Sequence, residues 1–77
     1  MAEKMVDVVL HIDETIDQAT RQALCDSFLH THGVVAANAD ERMPHLMVIE
    51  YDPDTIVSTQ LLAIARQNGL HGQLIGL

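Results

Sequence analysis

The order in which two hydrophobic periods follow one another limits this chain's fold more than any single residue does. Met5 to Ile12 alternates, with Val6, Val8, Leu10 and Ile12 on one parity and Asp7, Val9 and His11 on the other, which reads as a strand buried on its even face. Ile16, Ala19, Ala23, Leu24, Ser27 and Phe28 then recur at helical spacing. Thr15 and Gln18 fit a capping box, Asp13, Glu14 and Asp17 are acids near the helix start, and His30 and His32 precede Gly33 at its stop. Val34 to Ala39 is a second strand, and the polar Asp40-Glu41-Arg42-Met43-Pro44 joins it as a hairpin to a third, His45 to Tyr51. Pro53 ends that strand, and Thr55 or Ser58 can cap a second helix whose stripe is Leu61, Leu62, Ile64 and Ala65. Asn68-Gly69 ends this helix, and Leu70 to Leu77 is a closing strand.

The resulting order, β-α-β-β-α-β, predicts an α+β ferredoxin-like sandwich over residues 1–77. Its four-stranded antiparallel sheet has the first strand between the third and fourth, the second strand beside the third, and both helices on one face. No linker or low-complexity tract divides the chain, so a single domain is expected.

Seventy-seven residues bury only about three-fifths of the surface the unfolded chain exposes. With 48% apolar residues, one Phe, one Tyr and no Trp, the core has to come from Val, Ile, Leu, Ala and Met. The formal charge of −7 opposes nucleic-acid phosphates and anionic membranes, leaving cationic or neutral partners. A lone Cys25 makes no internal disulfide, and Met1 to Lys4 leads into a strand without an apolar signal segment, so a reducing, cytoplasmic setting is expected. No apolar run approaches the roughly 20 residues of a spanning helix.

Val48-Ile49-Glu50-Tyr51-Asp52-Pro53-Asp54, a helix, and then Asn68-Gly69-Leu70 resemble the heavy-metal-associated domain family of copper chaperones and metal-ATPase modules. Members commonly show V-E-Y-D-P, a helix and A-G-Y, and Gly33-Val34 is similar to the family's G-V ahead of its second strand. The resemblance covers essentially the whole chain. It implies a soft-metal loop, M-x-C-x-x-C, between the first strand and the first helix, where two thiolates hold Cu(I). Those positions fall on His11, Asp13 and Ile16, so neither thiolate is present and the soft-metal chemistry is carried by no residue. Cys25 lies nine residues past Ile16, more than about 13 Å along a helix axis.

Imidazole and carboxylate suit a different ion. The topology gathers His11, His45 and His71 near Asp13 and Glu14, and such donors favour Zn, Ni, Co or Cu(II) over Cu(I). On this reading His11 and His71 are the principal metal ligands, on the uncovered face of adjacent strands, with Asp13 or His45 as helpers. The plainer alternative is that polar histidines end strands at a wet surface. His30 and His32 lie at the opposite end, where they complement the helix C-terminus. The acids Asp13, Glu14 and Asp17 serve the helix start, and Asp52 and Asp54 flank a turn proline. No nucleophile with a neighbouring base and no glycine-rich phosphate loop occurs, so no enzymatic activity is expected.

The uncovered sheet face is left with Val9, Leu46, Val48, Val35, Ala37 and Ile75, edged by Asp7, His11, Glu50, His71 and Gln73. That is more apolar than a solvated face requires. The expected function is a small binding or interaction module that associates with a protein partner or with itself as a homodimer, through this face or through the edge strands, the second and the fourth. The alternative is a transition-metal carrier.

Overall fold

Val8, Leu10 and Ile12 fall on one side of a strand and are almost wholly buried, and the architecture is organised around them. The computed structural model describes residues 4–40 and 42–76. Residues 1–3, Glu41 of the hairpin connection and Leu77 of the closing strand lie outside the described residues. The elements run β1 (Val6–Ile12), α1 (Gln18–Leu29), β2 (Val34–Asp40), β3 (Met43–Tyr51), α2 (Ser58–Gln67) and β4 (Gly72–Gly76). They form one antiparallel sheet in the order β2-β3-β1-β4, the arrangement expected from the sequence. Both helices cover one face: Leu24, Cys25 and Phe28 of α1 and Leu61 and Ala65 of α2 join Val8, Leu10, Ile12, Met47 and Ile49 in a single core.

The first helix starts later than Thr15. Asp17 is its cap, with the carboxylate accepting from the Thr20 backbone N–H at 2.8 Å, and the Thr15–Gln18 box does not form. The preceding loop is committed elsewhere. Asp13 N–H donates to the His71 carbonyl at 2.8 Å, which ties the start of the loop to the chain leading into β4. The second helix is capped at Val57, whose N–H donates to the Gln60 side chain at 3.0 Å. Thr55 is unavailable as the cap because its hydroxyl donates to the Asp52 carboxylate at 2.8 Å, closing the Asp52–Thr55 turn.

Two glycines are fixed by their surroundings. Gly33 has φ +99° in the turn into β2, and an added Cβ would lie 2.9 Å from the side chains of Thr55 and Ile56. At Gly72 an added Cβ would lie 2.5 Å from the His11 carbonyl oxygen, so β4 pairs closely with β1 only because no side chain intervenes. Pro44 falls within β3, beyond the last β1 rung at His11 and Leu46, where its missing N–H costs no central ladder bond.

Candidate functional site

Two regions hold the residues singled out by the sequence. The first is the sheet end where β1 stops, β3 begins and the chain approaches β4. His11 and His45 stack there, with ring centroids 6.1 Å apart and planes 19° from parallel. His45 Nδ1 is 3.0 Å from the Ile12 carbonyl oxygen. A carbonyl only accepts, so Nδ1–H donates and Nε2 keeps its lone pair. Asp13 Oδ1 lies 3.9 Å from His11 Nδ1, too far for a hydrogen bond.

His71 is held apart from this pair. Its backbone N–H and its Nδ1–H donate to the two oxygens of Glu14, at 2.8 and 2.7 Å. These bonds, the backbone N–H contribution first, pull the Glu14 carboxyl below its ordinary value of 4.5. The structure thus brings His11 together with His45, not with His71, and makes Glu14 and His71 a clamp between the β1–α1 loop and the approach to β4. His71 also precedes β4, so it is not one of the residues on the sheet face. Among the described residues, no three His, Cys, Asp or Glu side chains converge in a geometry that holds a metal ion.

Cys25 is buried, with Sγ 3.9 Å from Met47 Sδ, and burial pushes its thiol up from the ordinary value. It is a core residue. At the far end of α1, His30 Nδ1–H donates to the Asp26 carbonyl at 2.7 Å, satisfying a helix-terminal acceptor.

The second region is the uncovered face. Strand register lays it out in rows: Val48, Val9 and Ile75 are paired neighbours across β3, β1 and β4, with Asn38 of β2 next to Val48. One rung away on one side is the acidic pair Asp7 and Glu50, and on the other Leu46, His11 and Gln73. Val48 is 40% exposed and Ile75 49%. A groove of 740 Å³ lies beside this row, lined by Val9, Leu46, Val48 and Met43 and edged by the Asp40–Arg42 ion pair at 2.9 Å.

Val9, Leu46, Val48 and Ile75 occupy the face assigned to them, but Ala37 does not. It pairs with Ile49 on the covered side and is 8% exposed, because a bulge between Val34 and Ala36 inserts Val35 and reverses the parity of the rest of β2. Asn38 takes the outward place. The run Val34-Val35-Ala36-Ala37 has no alternation to reveal a bulge. The His11–His45 contact was legible in principle, since β1 and β3 are neighbours and both residues lie at the same end. The Glu14–His71 clamp joins residues 57 apart in sequence, beyond any local signal.

No family model matches the sequence, and no curated protein matches it. Solved structures do. The N-terminal domain of a potential copper-translocating P-type ATPase from Bacillus subtilis, in its Cu(I)-loaded state, superposes with TM-score 0.85 at 16% identity, covering 95% of this chain and 90% of that one. The chain shares the ferredoxin-like βαββαβ fold of that domain. Oxidised MerP from Ralstonia metallidurans CH34 matches with TM-score 0.83 at 13% identity over 92% and 97% of the two chains. The CopZ metallochaperone gives 0.78 at 13% over 87% and 98%. At such identities the shared property is the ferredoxin-like fold itself. Among the described residues, no helix is long and apolar enough to cross a membrane.

Proposed function

We propose that this chain is a small, non-enzymatic binding module of the heavy-metal-associated type, lacking the cysteine pair of its loop and acting through the uncovered face of its sheet in a cytoplasmic setting. The observation that carries this reading is the apolar row Val48–Val9–Ile75, bare across three strands of an otherwise acidic domain. Lost burial of a Val or Ile side chain forfeits about 1.5–3 kcal/mol relative to full burial, so a surface holding such side chains in register gains by being covered. The occupant is a second copy of the chain. Light scattering over a concentration series tests this: reversible growth in mass that Val48→Lys abolishes supports it, and a monomer at every concentration refutes it.

A second reading keeps metal binding with different chemistry, and the His11–His45 stack favours it. A fixed His45 tautomer with a free Nε2 is the arrangement of a metal-ligating histidine whose other nitrogen is tethered. Zinc or another borderline ion would take His11 and His45 as ligands, with Asp13 joining only if its side chain moved toward them and His71 only if Glu14 released it. Zinc titration followed by histidine ring NMR checks this: the signals of His11 and His45 move together, and unchanged rings at millimolar zinc end the metal reading.

A further inference from the structure

We infer that the free edge of β2 takes up an extended peptide segment of another protein, one that alternates aliphatic side chains with a carboxylate-bearing one. The inference goes beyond the self-association reading above, because it concerns the rim of the sheet rather than its open face.

β2 is the outermost strand, with β3 as its one neighbour in the sheet among the described residues. Alternate residues of an antiparallel strand point their N–H and C=O groups away from the partner, so the outer side of β2 is a row of donors and acceptors. Its sequence puts nothing in the way. Val35 to Ala39 contains neither proline nor a charged residue, and Val35, Asn38 and Ala39 are exposed. The regular ladder runs from Ala36 to Ala39, between irregularities at Val34/Ala36 and at Ala39/Asp40. The edge therefore receives about four residues of an added strand.

A groove lies on each side of this edge. The 740 Å³ groove over Leu46 and Val48 is on the open face, and a second, of 320 Å³, lies between β2 and α1 on the helix side. Asn38 and Ala39 line both, so at these residues the strand alone separates them. The second groove exists because the side chains of Ala37 and Ala39 are too small to fill the space beside α1. An added strand sends successive side chains to opposite faces, so one set enters the first groove and the other set the second.

The two linings set the chemistry of the segment. The first groove, floored by Val9, Leu46 and Val48, accepts aliphatic groups. In the second, Arg21 stands beside Gln18 and Gln22. Arg21 is one of four Lys and Arg residues in a chain with eleven acids, yet among the described residues no carboxylate forms an ion pair with it. Its Nη1–H donates to the Ile16 carbonyl at 3.0 Å, and the guanidinium keeps further N–H donors in a fork that fits a carboxylate. The backbone ladder supplies affinity and the two grooves supply the pattern. So short a ladder, set against the cost of ordering a free peptide, gives a dissociation constant of about 1 mM.

The test adds a capped hexapeptide, Val-Thr-Val-Glu-Val-Thr, to the full chain at micromolar protein and follows backbone amide NMR, with far-UV circular dichroism as the folding check. The amides of Ala36 to Ala39 shift, and the same peptide N-methylated along its backbone loses this effect because it donates nothing to the edge. Replacing its Glu by Lys weakens binding by about two- to fivefold, the scale of one exposed ion pair. Arg21→Gln removes that preference while the Ala36 to Ala39 shifts persist, and Arg21→Lys restores it. Shifts at Val9, Val48 and Ile75 with β2 unmoved put the peptide on the open face and overturn the inference, as does equal binding of the Glu and Lys peptides by the parent chain. Dilution of the chain alone that shifts Ala36 to Ala39 gives the edge to a second copy, which also overturns it. No shift at roughly 10 mM peptide, ten times the expected constant, ends the inference and leaves self-association standing.

Discussion

The two faces of the sheet share the same strands and differ residue by residue. On the covered side Val8, Leu10, Ile12, Met47 and Ile49 meet both helices and are almost completely buried, with no buried polar side chain among the described residues. On the other side, the intervening positions carry an apolar middle rung between an acidic rung and a donor rung. The first pattern is what a fold needs, and the second exceeds it. Stability and partner choice are thus written on alternate residues of the same strands, and substitutions on the two sides should separate cleanly.

The largest expected effect lies on the covered side. Phe28→Ala, at a position with no exposure, removes about 3–5 kcal/mol of unfolding free energy, measured by chemical denaturation. A loss under about 1 kcal/mol would mean that the helices do not seal this face as described. Next comes Gly72→Ala, which drives a methyl group against the His11 carbonyl and forces β4 off β1. About 1–3 kcal/mol is expected, with faster amide exchange along β4. Asp17→Ala removes the cap of α1 and costs about 1 kcal/mol. Val48→Lys sits on the open face and changes stability by less than about 0.5 kcal/mol while abolishing association.

Acid sharpens the contrast further. Glu14, Asp17 and Asp40 have carboxyls lowered by hydrogen bonds from His71, Thr20 and Arg42 respectively. A carboxyl lowered in the folded state contributes stability that is whole above its unfolded value and disappears as pH falls through its folded value. Unfolding titrations should therefore show stability constant near neutral pH and declining once pH drops below the ordinary 4.5 of Glu14 and 3.8 of the aspartates. Glu14→Gln should flatten the upper part of that decline.

Much of this division could be read from the chain. Strand order and the even-parity core of β1 follow from periodicity, because alternation over a half-buried strand is a direct imprint of its two faces. β2 was the exception: four consecutive small apolar residues gave no parity, and the bulge at Val35 moved Ala37 into the core. The start of α1 was misplaced because Thr15 and Asp17 are both good caps, and the choice was made by distant bonds from His71 to Glu14 and from Asp13 to His71. For the same reason the histidines were gathered to the correct end but paired differently. Only the folded clamp shows that His71 is already engaged.

The most direct test of the open face as the binding surface is a concentration series of backbone amide NMR spectra. Dilution should shift the amides of Val9, Val48, Ile75 and their neighbours on β1, β3 and β4 together, leaving those of α1 and α2 in place. Shifts confined to the helices, or to β2 and β4 as isolated edges, would contradict the account, as would spectra identical from micromolar to millimolar protein.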